Sequence, residues 1–222
     1  MKIKDIYKHF DDIGCVSFST INDEGYIDSR IAHFFAYDDE GLYFRTMEVK
    51  EFYRQLKKHN NVSACGMYPN TRVTHDEEGL PHFVPGYTVR ISGDTRELTM
   101  DEVNEKAKTN EEFVVATFDI KKYPSTRIFV LYKAKGEVYD YDFEKENRDH
   151  KLLRECFSYG GENATPAGLS ITDKCIACGK CKRNCTFDAI EEGRPYHIIK
   201  ERCDECGTCY EVCPVNAINT RS

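Results

Sequence analysis

The chain has 222 residues, a formal net charge of −7, many Phe and Tyr, and no Trp. That length accommodates one moderate domain and a second, small one. It carries no basic tail or stripe, which argues against nucleic acid as a partner, and no apolar run approaches the roughly 20 residues that a membrane span needs.

The first element expected is an amphipathic helix over Lys2 to Ile13, with Ile3, Ile6, Tyr7, Phe10 and Ile13 on its apolar side. Strand patterning follows. Cys15 to Thr20 alternates, Asn22 to Gly25 turns, and Tyr26 to Tyr37 reads as one longer strand. A turn at Asp38 to Gly41 leads into a short strand, Leu42 to Arg45. Glu48 to His59 is expected to be helical: Val49, Phe52, Tyr53 and Leu56 share a face, and Lys57, Lys58 and His59 suit the negative end of the dipole.

Asn61 to Met67 returns to strand, and Pro69 to Gly86 reads as a polar loop or hairpin excursion. Tyr87 to Leu98 is a strand with a turn or bulge at Gly93-Asp94. A capping box from Thr99 to Glu102 opens a helix to about Phe118. Thr126 to Lys133 and Glu137 to Phe143 are expected to form a hairpin around Lys135-Gly136. The pattern is mainly β with α (α+β): an antiparallel barrel or closed sheet with helices outside. Glu144 to Phe157 looks helical, and Ser158 to Ser170, rich in Gly, Ala, Thr and Pro, reads as a linker. The expected domains are therefore 1–150, a helix and linker over 151–170, and a small domain over 171–222.

Three features of the first domain suggest an anion site. Arg30 lies in the long strand, Arg45-Thr46 closes the next, and Lys50 falls at the start of the following helix. A cation there opposes the helix dipole, an arrangement that becomes favourable if an anion binds at the free N–H groups. Taken singly, each reads as a solvated surface charge. The run Gly25 to Arg30, then Gly41 to Thr46, then Lys50 and Asn60-Asn61-Val62 resembles the pyridoxamine 5′-phosphate oxidase-like family. The resemblance covers about residues 1–145. It implies a split β-barrel that binds FMN at a homodimer interface. It places the FMN phosphate and ribityl chain at Arg30, Thr46 and Lys50 with Arg45 assisting, and the flavin ring beside Ile31 and Ala32. The further basic residues that such oxidases use for phosphorylated pyridoxamine are not found here. Within the family, F420 and heme are the other cofactors, and His33 is the one candidate axial histidine. His75, His82, Tyr53 and Tyr87 are weaker pocket candidates. Cys15, Cys65 and Cys156 read as small buried hydrophobes. No residue stands out as a catalytic acid or base.

The final fifty residues carry the densest signal. Cys175, Cys178, Cys181 and Cys185 follow C-x2-C-x2-C-x3-C, and Cys203, Cys206, Cys209 and Cys213 repeat it 28 residues later. Gly179 recurs as Gly207, and Ala189-Ile190 as Ala217-Ile218. This spacing is that of a ferredoxin module with two [4Fe–4S] clusters. Zinc needs no third C-x2-C step duplicated intact. Disulfides fit poorly: nothing at Met1 resembles a signal peptide, and eleven cysteines suit a reducing cytosol, so a cytoplasmic protein is expected. In ferredoxins of this type the fourth ligand crosses over. By that resemblance Cys213 joins Cys175, Cys178 and Cys181, and Cys185 joins Cys203, Cys206 and Cys209. Thr186 stands where the pattern usually has proline, which removes no ligand.

Clusters pass single electrons and a flavin takes two, so the fusion points to an FMN- and iron–sulfur-dependent oxidoreductase with the clusters as relay. Its partner would be a redox protein or a small-molecule acceptor. An electron carrier with no substrate of its own, and a redox or ligand sensor, are the alternatives.

Overall fold

The computed structural model describes residues 1–69, 73–142, 152–164 and 166–220. Helix α1 (Ile3–Ile13) leads into β1 (Val16–Ile21), β2 (Ile27–Ala32), β3 (Ala36–Tyr37) and β4 (Leu42–Met47). After α2 (Glu51–His59) come β5 (Asn61–Tyr68), β6 (Val73–His75), β7 (Pro81–Phe83) and β8 (Tyr87–Glu97). Helices α3 (Met100–Lys106) and α4 (Glu111–Lys122) precede β9 (Thr126–Asp140) and β10 (Leu153–Tyr159). These strands build an eight-stranded sheet in the order β2-β1-β5-β8-β9-β4-β3, with β10 on β9, while β6 and β7 pair as a separate hairpin. The pairs β1–β2, β1–β5, β3–β4 and β4–β9 are antiparallel, and the fold is α+β as expected.

Two compact units divide the chain. One comprises Met1–Asn70, Thr88–Gly136 and Phe157–Ala164; the other Thr71–Tyr87, Glu137–Cys156 and Thr165–Ser222. The core of the first is aromatic. Phe18, Phe34, Phe44 and Phe52 pack ring against ring, and Phe44 stacks on Phe129. A second cluster joins Phe35, Tyr43, Phe113, Ile128 and Val130.

Several expected elements change in tertiary context. The long strand stops at Ala32, and His33 to Phe35 separate it from the short strand β3. Helix α2 starts three residues late, leaving Lys50 as its N-cap in extended conformation. The capping box at Thr99 and Glu102 forms, but its helix ends at Lys106. Asn110 then caps α4, its side chain accepting from the Glu112 amide at 3.0 Å.

The hairpin at Lys135-Gly136 does not form: β9 is one fifteen-residue strand. Gly136 serves close packing instead, since a Cβ there would lie 2.1 Å from the Arg90 carbonyl oxygen and 2.6 Å from the Phe157 ring. Gly136→Ala is therefore expected to destabilise the protein by roughly 1–3 kcal/mol, measured as a drop in the denaturant midpoint. Leu153 to Phe157 belongs to strand β10, not a helix, because pairing with β9 satisfies its backbone. Leu152 is described but lies outside any element, and residues 144–151 of that expected helix and the expected strand end at Phe143 lie outside the described residues. Ser158 and Tyr159 are likewise strand, so the linker begins later than expected.

The C-terminal module is built as two similar halves. β11 (Ser170–Ile171), α5 (Lys180–Arg183) and β12 (Ile190–Glu191) form one; β13 (His197–Ile198), a 3-10 turn over Lys200–Arg202, α6 (Thr208–Glu211) and β14 (Ile218–Asn219) form the other. β11 pairs with β14, and β12 with β13. The Ala217 carbonyl accepts from the Thr172 amide and the Ala189 carbonyl from the Ile199 amide, each at 2.8 Å. Its core consists of Leu169, Ala189, Ile190, Ile198 and Ile218 with Cys181, Cys203 and Cys209. So small a core gains much of its stability from whatever the thiols bind.

Candidate functional site

The duplication is legible in the backbone of the module. Gly179 and Gly207 open the two short helices with φ of 71° and 81°. Left-handed conformations also recur at Ala177 and Glu205, and at Asp188 and Asn216. These turns aim amides at sulfur. Ala177 N donates to Cys175 Sγ and Glu205 N to Cys203 Sγ, both at 3.4 Å. Ala189 N donates to Cys185 Sγ at 3.4 Å and Ala217 N to Cys213 Sγ at 3.2 Å. Such bonds stabilise thiolate and help set a cluster's potential.

The eight motif cysteines line two cavities, four to each. Cys175, Cys178 and Cys181 share one with Cys213, walled by Ile171, Val215 and Ile218. Cys203, Cys206 and Cys209 share the other with Cys185, walled by Leu169, Phe187 and Ile198. Each cavity thus takes three thiols from one motif and one from the other. Among the described residues no three His, Cys, Asp or Glu side chains surround a single-ion centre. Burial, then Cys203, Cys185 and Cys206, push the Cys209 thiol up to about 11. Burial likewise raises Cys181, with Cys175 and Cys178 adding to it. Holding four thiolates in such a cage calls for a cationic core, and the donor set fits iron–sulfur.

The first unit carries a different site. A cleft of about 360 Å³ lies between the end of β2, β4, the start of α2 and the C-terminal part of α4. Its lining includes Ile31, Ala32, His33, Arg45, Thr46, Met47 and Lys50, with Asp119, Tyr123 and Thr126. The register of β4 with β9 sets Met47 opposite Thr126 and Thr46 opposite Arg127. Thr46 and Thr126 are buried hydroxyls. Arg45 forms an ion pair with Asp119 and lies 5.6 Å from the Phe35 ring centroid. Partial burial, and then Arg45, hold the His33 imidazole below its usual value. Lys50 is exposed at the N-cap, beside the first amides of α2, which have no partner within the helix. The volume suits a small organic ligand, and the lining combines cations and hydroxyls with an apolar wall. An anionic planar group such as FMN fits that donor set.

Five of the six residues expected at a cofactor thus meet in one cleft: Ile31, Ala32, Arg45, Thr46 and Lys50. Arg30 does not reach it. Strand alternation turns Arg30 to the opposite face of β2 from Ile31, where it donates to Thr20 Oγ1 at 2.5 Å and Gln55 Oε1 at 2.9 Å over the Phe52 ring. Gln55 in turn donates to Asp28. Tyr53 bonds Glu97 and packs on Phe129, and Tyr87 is buried. Cys15 and Cys65 are exposed and Cys156 is partly exposed, so none has the fully buried setting expected. Asp119 and Tyr123 were not anticipated from sequence, because the expected helix ended at Phe118. Asn110 followed by two glutamates was the available signal for a second helix start.

Comparison with known proteins identifies the module. Residues 170–191 and 196–219 match the family model of the 4Fe-4S binding domain. No curated protein matches the chain. Solved structures similar to it include a NimC/NimA family protein from Clostridium acetobutylicum: 17% identity, TM-score 0.48, 70% of this chain and 91% of that one. HutZ, the heme storage protein from Vibrio cholerae, has 14% identity, a TM-score of 0.42 and coverage of 60% and 90%. PhzG from Burkholderia lata 383, in complex with tetrahydrophenazine-1-carboxylic acid, has 15%, 0.44, and 69% and 80%. Among the described residues no helix is long and apolar enough to cross a membrane.

Proposed function

We propose that the chain is an FMN- and iron–sulfur-dependent oxidoreductase whose two [4Fe–4S] clusters relay electrons to or from FMN, and that FMN serves a small-molecule acceptor or donor. The observation that carries the reading is the pairing, in one chain, of two four-thiol cavities with a cleft lined by Lys50, Arg45 and Thr46. When bound, the clusters supply one-electron steps and FMN converts these to two-electron chemistry.

The residues have separate parts in this reading. Lys50 and the first amides of α2 meet the FMN phosphate, and the Thr46 hydroxyl binds beside them. Asp119 keeps Arg45 aligned, and an arriving anion competes with that carboxylate. Ile31 and Ala32 flank the ring. Arg30, which donates to Thr20 and Gln55 on the far face of β2, has no direct part in binding. Exposure of Ile27 at 73%, Ile31 at 70% and Val49 at 71% supports a homodimer that covers them. A cytoplasmic site of action, with a redox partner and without nucleic acid or membrane, completes the proposal.

Cofactor content of protein purified without oxygen tests it. About eight irons, eight sulfides and one FMN per chain are expected. Lys50→Ala is expected to retain the iron while FMN affinity falls about tenfold, on the scale of one lost charge-assisted contact. Full iron with heme, F420 or no cofactor in the cleft would overturn the FMN assignment.

A further inference from the structure

The two halves of the module share a backbone but not a charge. Around the first motif stand Lys174, Lys180, Lys182 and Arg183, against Asp173 alone. The equivalent stretch of the second carries Glu201, Asp204, Glu205 and Glu211, against Arg202 alone. Twenty-eight residues apart, Arg183 answers to Glu211 and Ile176 to Asp204. The halves also differ in cover. In the second loop Asp204 is bonded to the Tyr139 hydroxyl and Glu205 to Arg154. In the first loop Ile176 is 56% exposed between Cys175 and Cys178, and Cys178 is itself exposed. Lys174 and Lys180 are exposed and form no ion pair among the described residues, while Lys182 is paired with Glu192.

We infer that the face formed by Lys174, Ile176, Cys178 and Lys180 is the docking surface for an acidic one-electron carrier protein, so that electrons enter through the cluster of Cys175, Cys178, Cys181 and Cys213. This rests on the iron–sulfur reading of that cavity. The physical case is steering. A chain of net charge −7 repels an acidic partner over most of its surface and attracts it where lysines ring an exposed apolar residue next to a ligand sulfur. Ile176 supplies the desolvated centre of such a contact and the lysines its rim. In the transfer, one electron leaves the reduced carrier and takes the cluster from its 2+ to its 1+ state. The carrier is oxidised by one electron, and no bond forms and no proton moves.

The test uses the full chain with its clusters and a flavodoxin, a small acidic carrier, as probe. Iron is measured first on the same sample. Affinity for oxidised flavodoxin is expected to fall about tenfold between roughly 20 and 200 mM salt. Lys174→Glu with Lys180→Glu is expected to lose about tenfold at low salt with iron content unchanged. Glu201→Lys with Glu211→Lys, on the other half, makes the chain less acidic and is expected not to weaken the low-salt affinity. Rates of electron transfer from reduced flavodoxin should follow the same order. Missing iron overturns the cluster reading. Iron-replete protein that binds flavodoxin independently of salt, or equally well after Lys174→Glu with Lys180→Glu, overturns the docking surface alone. Low-salt self-association that this double variant abolishes, without flavodoxin binding, overturns it too by reassigning the patch to a second copy of the chain.

Discussion

Cys213→Ala is expected to empty the cavity of the first motif, although Cys213 belongs to the second. Iron should fall from about eight to about four per chain, and Cys185→Ala should do the same for the other cavity. The decisive measurement is a pair of double variants. Cys213 lies with Cys175, Cys178 and Cys181, so Cys213→Ala combined with Cys175→Ala removes two ligands of one cluster and should lose no more iron than either change alone. Cys213→Ala combined with Cys203→Ala strikes both cavities and should leave almost none. Ligation within each motif would reverse that order. Thermal stability should follow the iron, because three of the thiols belong to the module's own core and metal binding contributes directly to folding.

The second large effect is expected at Arg154, which has no counterpart in the duplicated motifs. It is 8% exposed, lies 4.9 Å from the Tyr139 ring centroid, and donates to Glu205 Oε2 at 2.6 Å. The other Glu205 oxygen accepts from the Gly168 amide at 2.9 Å, and Glu205 N faces Cys203 Sγ. Burial alone would lower the Arg154 pKa, but the bond to Glu205, aided by Glu137, more than reverses it. The charge is therefore held by its partner. Arg154→Met removes this charge-assisted bond from the cluster loop, at a cost of about 1.5–3 kcal/mol. The cluster of Cys203, Cys206, Cys209 and Cys185 should then release its iron to a chelator faster than the other. Adding Glu205→Gln should cost little further stability, because both changes break the same pair. Equal release from both clusters, or no change in unfolding, would exclude this role for Arg154.

Gly179 and Gly207 were legible as tight-turn residues, and both adopt positive φ. The other left-handed positions are unequal in this respect. Asp188 and Asn216 are residue types that tolerate that conformation, whereas Ala177 and Glu205 give no hint of it. Their geometry follows from wrapping a loop around sulfur, a demand that local propensity does not express. Gly136 misleads for a related reason. Lys135-Gly136 has turn chemistry, yet the glycine is needed where β9 passes the Arg90 carbonyl and the Phe157 ring. Leu153 to Phe157 likewise reads as helix by spacing and becomes strand because β9 offers it a ladder.

The sequence by itself determined the metal chemistry, because eight thiols at repeated short spacing are a local signal that survives any arrangement of the rest of the chain. It also grouped Arg30, Arg45, Thr46 and Lys50 in expectation, since strand, turn and helix start are close in sequence, while Ile31 and Ala32 were implied only by the family resemblance. The tertiary structure decided which side chains share the cleft. Alternation along β2 sends Arg30 to Thr20 and Gln55 and leaves Ile31 at the cleft, which Ala32 reaches from the end of the strand. The break between α3 and α4 sets the phase that brings Asp119 to Arg45 and Tyr123 to the wall. Arg154 finds Glu205 across fifty-one residues of chain. Such meetings depend on long-range packing and on the phase of each element, and no short window of sequence contains either.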